Sequence, residues 1–307
     1  MPAVSPPSSY RHVLLLVAAT ACWGCGTVLS KHVLGRGVAP LTLLAVELAA
    51  SSLVLTLAML LLRVRPTPSP ALVTLAALGI LNPGLAYALG LLGLVSITAS
   101  MSVLLWATEP ILIMLLAVVL LRERIAPATT AAVITAMVGV LLVTYRPGAS
   151  GDATGVVLTV GAVSACACYA VLTRRLLLDD SSLAVVLAQQ LAALCFAIVV
   201  AGTASVTGAA ELGLPADLAT WALAAASGMV YYGFAFWFFV AGLRGVPAST
   251  AGSLLPLVPV FGLAAGYLLG DRLIDRQWLG AVLVILAAVA AAACHLGDRP
   301  VTGRVDR

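Results

Sequence analysis

The stretch Ala88–Arg124, ALGLLGLVSITASMSVLLWATEPILIMLLAVVLLRER, governs how the rest of the chain is interpreted. It is a long apolar run that contains one acid-proline pair, Glu109-Pro110. A charged side chain at the centre of a bilayer costs about 2.5 to 3.5 kcal/mol on insertion scales, so it normally faces a protein interior or a watery cavity. Pro110 lacks a backbone N–H, which leaves the carbonyl of Trp106 without its helical donor. Glu109 is therefore predicted to lie on a pathway and not against lipid.

Helical spacing predicts which residues accompany Glu109. Thr98, Ser102, Trp106 and Glu109 follow one another at steps of four, four and three residues, so they would share one face of a helix. This polar-aromatic stripe is predicted to form one wall of the pathway.

The composition is typical of an integral membrane protein. Of the 307 residues, 62% are hydrophobic and 9% are charged, and the mean hydropathy is +1.14. The sixteen basic residues are scattered at the ends of apolar runs and form no patch, which argues against a nucleic-acid partner despite the net charge of +4. The expected partners are the lipid bilayer and a small-molecule substrate.

The cysteines and histidines do not indicate a metal site or a cofactor. All six cysteines lie within or at the ends of apolar runs, where a thiol packs like other small residues. Cys22-Trp23-Gly24-Cys25 matches a C-x-x-C redox pattern, but that motif needs an exposed helix N-terminus in a thioredoxin-like fold, so packing is favoured. His12, His32 and His295 are isolated from one another in sequence.

Ten apolar runs of roughly 17 to 25 residues are long enough to cross a bilayer. They are 13–29, 41–62, 71–92, 97–121, 127–145, 155–171, 183–201, 218–243, 247–269 and 278–294. The first run lacks a small-residue cleavage site, so it is predicted to be a retained span and not a signal peptide. Asn82-Pro83-Gly84 interrupts the third run, which predicts either a bend beside a cavity or a simple packing kink.

The sequence repeats itself at an offset of nearly half its length. LLRER at 120–124 recurs as LLGDR at 268–272, Pro110 recurs as Pro259, and Glu47 aligns with Gln190. Residues 1–147 and 148–307 are therefore predicted to be two five-helix repeats. Because five is odd, the second repeat would enter the membrane upside down, as in many secondary transporters. The predicted fold is an all-α integral membrane protein of ten transmembrane helices in two inverted repeats.

The basic residues also predict the orientation. With the N-terminus in the cytoplasm, eleven of the sixteen Lys and Arg residues fall on the cytoplasmic side and five fall outside. Both termini are then cytoplasmic, and the expected location is a cell membrane.

Taken together, the motifs resemble those of the EamA-type transporters of the drug/metabolite transporter superfamily. In the first half they are Trp23-Gly24 with Lys31, the junction from Ala88-Leu89 to Ser100, Glu109-Pro110 and Arg122-Glu123-Arg124. In the second half they are Ala241-Gly242-Leu243 to Ser249, Pro259, Gly270-Asp271-Arg272 and Gln277-Trp278-Leu279-Gly280. The resemblance implies a ten-helix transporter with a central cavity that exports amino acids or other small metabolites. The chain departs from the family at Glu47, near which relatives often have Arg, and at Asp271, where they usually have Glu.

Six residues are the candidate substrate contacts, because they lie well inside their spans or on the stripe around Glu109. They are Trp23, Thr27, Ser102, Trp106, Glu109 and Tyr169. Aromatic faces among them suit a cationic group. A further aromatic face on the eighth span, for which helix packing is an equal alternative, comprises Tyr231, Phe234 and Phe238.

Charged residues near the ends of the spans have structural interpretations. Lys31, Arg174 and Arg244 are placed where long basic side chains extend to the lipid headgroups. Glu123 and Asp271 can pair with a flanking Arg or receive the N-terminus of the next span.

The predicted function is secondary transport, with export of a metabolite ahead of uptake by a permease of the same superfamily. Glu109 is the predicted coupling residue: it would bind either a proton, in a cavity that opens alternately to each side, or the ammonium group of a substrate. The competing interpretation is a neutral acid that hydrogen-bonds across helices. An enzyme is not predicted, because no histidine lies at membrane depth, and a non-transporting structural protein would leave Glu109 unexplained.

Overall fold

Helices make up nearly all of the chain that the structure describes. The computed structural model describes residues 8–65, 69–97, 99–144, 152–177, 181–208, 211–268 and 274–297. In the first half the helices are α1 (Ser8–Leu34), α2 (Pro40–Leu61), α3 (Pro70–Gly79), α4 (Ala86–Ser96), α5 (Ala99–Trp106), α6 (Glu109–Leu121) and α7 (Pro127–Thr144). In the second half they are α8 (Ala153–Leu176), α9 (Ser182–Val206), α10 (Leu218–Gly228), α11 (Ala235–Leu243), α12 (Ala248–Leu254), α13 (Leu257–Leu268) and α14 (Asp275–Gly297).

Local signals in the sequence set several of the helix starts. Proline occupies the first turn of α2, α3 and α6, where its missing N–H leaves no helical bond unmade. The Ser69 side chain accepts from the N–H of Leu72, and Asp152 accepts from the N–H of Gly155. These side chains satisfy backbone donors that have no partner within the helix.

Nine helical segments within the described residues are long and apolar enough to cross a membrane. Their exposed surface carries many large apolar side chains, such as Leu53, Leu61 and Val199, each more than 60% exposed. A surface of this kind is stable only in lipid. The protein is therefore a multi-pass membrane protein.

The region around Glu109 differs from the prediction. The run 97–121 is not one continuous helix, because α5 ends at Trp106 and α6 begins at Glu109, with a turn at Ala107-Thr108 between them. The Thr108 N–H donates to the carbonyl of Leu105 at 3.0 Å, a tighter turn than in an α-helix, and Pro110 starts the next helix. α6 is a 13-residue apolar helix, shorter than the nine spans.

Interruptions occur at matching places in the two halves. A kink within Ile80–Leu85, where Asn82 has an extended backbone, joins α3 to α4, and a π-helical turn at Met229–Phe234 joins α10 to α11. The turn between α5 and α6 has a counterpart at Leu255-Pro256, between α12 and α13. The predicted span 247–269 is therefore also two helices.

Helices at equivalent positions in the two halves have equivalent packing partners. α1 packs against α11 and α13, while α8, its equivalent in the second half, packs against α4 and α6. α2 packs against α9, and α7 packs against α14. At the α7–α14 crossing, a Cβ added to Gly139 would lie 2.7 Å from the Gly280 carbonyl oxygen, and one added to Gly280 would lie 2.6 Å from the Gly139 carbonyl oxygen. Only glycine permits this close approach of the two backbones.

Each end of the helix assembly has its own polar contacts. At one end the Glu123 carboxylate, just after α6, accepts from the N–H groups of Ala248 and Ser249 at 2.9 and 3.1 Å and from the Ser249 hydroxyl at 2.5 Å. Glu123 thus receives a helix N-terminus as predicted, but that of α12 in the other half and not of the next span. Asp271 lies outside the described residues.

At the other end, Arg36 after α1 donates to the Thr220 hydroxyl of α10 at 3.0 Å, and that hydroxyl donates to Asp217 at 2.9 Å. The N–H and hydroxyl of Thr220, together with the Arg36 guanidinium, hold the pKa of Asp217 below its usual range. Asp217 is therefore charged near neutral pH and ties the end of α1 to the start of α10.

Candidate functional site

A large cavity opens between the helices on one side of the α5–α6 break. Its volume is about 1300 Å³, and its wall includes residues of α1, α6, α7, α8, α11, α13 and α14 together with the kink at Ile80–Leu85 and the π-helical turn at Met229–Phe234. At the inner end lie Trp106, Glu109 and Pro110, where the chain turns from α5 into α6. At the other end lie Lys31 and Arg36, beside the end of α1.

The acid at the inner end has no partner within the described protein. Glu109 is half-buried, and no hydrogen bond or cation among the described residues reaches its carboxyl group. The thiol of Cys166, on α8, is close enough to feel its charge. A carboxyl group held at membrane depth without a protein partner requires a proton, water or a bound cation.

Two more polar atoms of the cavity wall lack a partner within the described residues. The indole N–H of Trp23 and the amide oxygen of Asn82 are both buried and make no hydrogen bond. Most buried polar atoms in proteins are hydrogen-bonded, so these two mark places where a ligand group can complete the pairing. Both atoms are shielded from solvent, so a ligand group reaches them only when neighbouring side chains move aside.

Aromatic rings cover much of the remaining wall. The Trp23 ring packs against Phe236 and Phe239 of α11, with ring centroids 5.4 and 5.2 Å apart. The Tyr87 hydroxyl donates to the Tyr231 hydroxyl at 3.1 Å. These contacts hold the rings in place, and their faces suit an apolar or cationic part of a ligand.

Five of the six predicted substrate contacts line this cavity. They are Trp23, Thr27, Trp106, Glu109 and Tyr169. The Tyr169 hydroxyl donates to Gln189 at 2.9 Å, so this residue offers mainly its ring to the cavity. The Thr27 hydroxyl donates to the Trp23 carbonyl at 2.8 Å.

Ser102 is not among the residues that line the cavity, and it is only 8% exposed. The predicted stripe assumed a continuous helix from Thr98 to Glu109, but the turn at Ala107-Thr108 separates the helix of Ser102 and Trp106 from the helix of Glu109. Thr98 lies outside the described residues.

The structure also revises the roles of other predicted residues. On the eighth span, Tyr231 lines the cavity, but Phe234 and Phe238 stack on each other, and the cavity wall takes Phe236 and Phe239 instead. Arg174 and Arg244 do not simply extend toward headgroups: Arg174 donates to the Val246 carbonyl and Arg244 donates to the Ser182 hydroxyl.

Sequence reasoning missed several wall residues, including Tyr87, Met137, Phe239 and Gln277. Gln277 begins the motif at 277–280 but was given no role in the site, and the other three belong to no motif. The packing of α4, α7, α11 and α14 around the cavity brings all four to the site. Asn82 could be found from the Asn-Pro-Gly break, because a residue at such a break often faces a cavity.

Comparison with known proteins agrees with this architecture. A model of the EamA-like transporter family matches residues 11–145 and again residues 153–292. The chain is similar to a protein of known crystal structure, with a TM-score of 0.79 and 20% identity, over 95% of this chain and 100% of that one. At this identity the likeness concerns the fold alone. No curated protein sequence matches the chain. Since the family model covers most of the chain in two successive repeats, the protein is a member of the EamA-like transporter family.

Proposed function

We propose that the protein is a secondary transporter that exports amino acids or other small metabolites through the 1300 Å³ cavity. The observation that carries this proposal is the Glu109 carboxyl group, placed at the inner end of the cavity without a protein partner within the described residues. Glu109 binds either a proton or the ammonium group of the substrate. Trp23, Thr27, Trp106 and Tyr169 contact the rest of the substrate.

The size and lining of the cavity support this assignment. Small-molecule sites commonly have about 300–1,000 Å³, so a cavity of about 1300 Å³ holds a metabolite together with water. An apolar and aromatic wall with a few polar groups is the usual design of such sites.

The architecture that we propose has ten spans in two inverted five-helix repeats, 1–147 and 148–307. The span that brings the count from nine to ten is the fourth in chain order. It consists of α5 and α6, with the turn at Ala107-Thr108 between them. The matching interruptions and the matching packing partners of α1 and α8 support a two-fold relation between the halves.

The orientation that we propose places both termini in the cytoplasm and Lys31 and Arg36 outside. The cavity then opens to the outside, because these two residues line the end away from Glu109. The contact between Glu123 and the start of α12 lies on the cytoplasmic side and closes the pathway there.

Counterflow in proteoliposomes tests the proposed function. Vesicles loaded with a mixture of unlabelled amino acids and other metabolites should take up a labelled member of the set faster than protein-free vesicles. Export then predicts that cells with the protein release this compound faster and retain less of it. Failure of every compound to exchange would contradict transport, and accumulation in cells would indicate an uptake permease.

The inverted repeat predicts that equivalent loops of the two halves face opposite sides. A cysteine at Gly35, where an added side chain meets no close contact, should react with a membrane-impermeant thiol reagent from outside. A cysteine at Ser181, in the equivalent loop of the second half, should react only from inside. Reaction of both residues from the same side would show that the two halves are not inverted.

Trp23→Phe isolates the unpaired indole N–H, because a phenyl ring keeps the contacts with Phe236 and Phe239. If this N–H donates to the substrate, its loss costs about 0.5–1.5 kcal/mol, so the half-saturation concentration should rise about two- to tenfold. Counterflow at varied substrate concentration measures the change, with Trp221→Phe on the exposed surface of α10 as the control. Equal kinetics for Trp23→Phe and the control would leave Trp23 with a packing role only.

A further inference from the structure

A second acid lies within the helix assembly, away from the cavity. Glu47 is the eighth residue of α2, about 10 Å along the helix from its start at 1.5 Å per residue, and it is only 3% exposed. It is not among the residues that line the cavity. Nothing in the transport site described above uses it.

Two serine hydroxyls from different helices meet one oxygen of this acid. The Oε1 atom of Glu47 lies 2.6 Å from Ser30 Oγ of α1 and 2.6 Å from Ser227 Oγ of α10. The two hydroxyl oxygens lie 2.8 Å from each other. The three oxygens therefore form a closed triangle of short contacts, called the Glu47 triad below.

Hydrogen counting indicates the state of the acid. Three short O···O contacts need three hydrogen atoms between them, but each hydroxyl has only one to donate. An ionised carboxylate accepts and never donates, so the contact between Ser30 and Ser227 would have no hydrogen. If the Oε1 atom carries a proton, each oxygen of the triad donates once and accepts once.

The same distances favour a proton over a metal ion. Oxygen ligands of a cation such as Ca²⁺ lie about 2.3–2.6 Å from the ion, which keeps neighbouring ligands well separated. Separations of 2.6–2.8 Å are those of O–H···O hydrogen bonds.

In the part of the chain that the structure describes, the helices packed around the Glu47 triad supply no buried cation to balance a carboxylate. On α9 the facing polar residues are Gln189 and Gln190, which do not titrate, and the π-helical turn at Met229–Phe234 supplies Tyr231 and Tyr232, both close enough to feel the charge of Glu47. The charged or titratable residues beside Ser30 on α1 are Lys31 and His32, and both are exposed. Loss of the proton would leave a buried charge that only hydroxyl groups stabilise.

We propose that Glu47 is a proton-binding site, distinct from the substrate cavity, and that its protonated form holds α1, α2 and α10 together in the outward-open conformation. This proposal rests on the proposed transport function. When the proton leaves, both serines still donate to the carboxylate, but the contact between Ser30 and Ser227 loses its hydrogen and the buried charge is better solvated by water that enters when α1 and α10 separate. Protonation from outside thus favours the outward-open state, and deprotonation favours its closure.

A polar route connects the triad with the cavity. Tyr231 lines the cavity, interacts with the hydroxyl groups of Thr27 and Tyr87, and feels the charge of Glu47. No hydrogen bond among the described residues joins Tyr231 to the triad, so water must carry the proton from the carboxyl group to these hydroxyls, and no other bond changes.

Cysteine accessibility tests the proposal without a known substrate. In full-length protein with its six native cysteines replaced by serine, Val28→Cys places a thiol in the cavity wall and Ala216→Cys places one in an exposed loop. The ratio of their reaction rates with an impermeant reagent removes the effect of pH on the thiols themselves. As the pH rises from about 5 to about 9, this ratio should fall at least about fivefold, a typical size for coupling between two sites.

Glu47→Gln should keep the ratio high at every pH, because an amide cannot ionise. The chain already buries glutamine on the facing helix α9, so the substitution suits this environment. Ser227→Ala removes a hydroxyl that stabilises the carboxylate, so it should move the pH response to higher pH, whereas a purely structural role would leave the midpoint unchanged. Glu211→Gln, at an exposed position, should behave like the parent protein.

Three results would overturn the proposal: a ratio that does not change with pH, a Glu47→Gln protein with the parent response, or loss of the response in Glu109→Gln instead. If the cysteine-free protein does not accumulate, hydrogen exchange of α1 in the native sequence gives the same comparison between Glu47→Gln and Glu211→Gln. If the protein exchanges substrate but the ratio of the two cysteine reaction rates does not change with pH, only the proton site is refuted. If the ratio changes with pH but the protein exchanges no compound, only the transport function is refuted.

Discussion

Glu109→Gln is expected to reduce transport driven by a pH gradient at least tenfold. The carboxyl group lies at the inner end of the cavity without a partner among the described residues, so it has no contact within the fold that glutamine would disrupt. The amide keeps the shape of the side chain but cannot titrate or carry charge. A tenfold loss corresponds to about 1.4 kcal/mol, a modest value for a buried ionic contact with a substrate.

The exchange of substrate for substrate separates the two roles of Glu109. If Glu109 carries the coupling proton, Glu109→Gln should still exchange substrate, because exchange needs no net proton movement. If Glu109 binds the substrate ammonium, exchange should fall together with gradient-driven transport. Counterflow with and without a pH gradient measures both, and Glu211→Gln is the matched control.

Normal transport by Glu109→Gln in both assays would make Glu109 a structural residue. The pathway would then have to follow another part of the cavity, such as the wall near Asn82.

Glu123→Gln is expected to open the side of the protein that we propose to be cytoplasmic. The carboxylate accepts from two backbone N–H groups at the start of α12 and from the Ser249 hydroxyl. Glutamine keeps one side-chain oxygen that can accept a hydrogen bond. Its NH₂ group replaces the other oxygen and would face a group that also donates. Hydrogen bonds to a charged group contribute about 1.5–3 kcal/mol, so the loss of one should shift the conformational balance about tenfold or more toward the inward-open state.

Labelling from both sides measures this shift. A cysteine at Ala126, in a small cavity beside Glu123, should react faster from the inside in Glu123→Gln, while Val28→Cys should react more slowly from the outside. Glu211→Gln again serves as the control. If the reaction at Ala126 rises without a fall at Val28, the contact is a local cap on α12 and does not control access to the cavity.

Much of the fold followed from the order of the residues alone. Long apolar runs need lipid, and a membrane-spanning backbone must satisfy its own hydrogen bonds, so helices were predicted at nearly all the observed places. The Asn82-Pro83-Gly84 break was also predictable, because the missing N–H of proline acts on its own helix.

Part of the site was predictable for the same local reason. An acid in an apolar run is costly wherever the run lies, which singled out Glu109, and aromatic residues deep in spans singled out Trp23 and Tyr169. Ser102 does not line the cavity although Trp106 of the same helix does, and helical spacing could not show that α5 ends at Trp106 and that a new helix starts at Glu109.

The sequence by itself determined that this is a helical membrane protein with a repeated half and a costly acid at membrane depth, because hydropathy and periodicity act through neighbouring residues. Only the tertiary structure decided that Glu123 holds α12 in the opposite half and that Ser30 and Ser227, nearly 200 residues apart, meet on Glu47. Contacts between distant segments depend on the packing of whole helices, which no local pattern in the chain encodes.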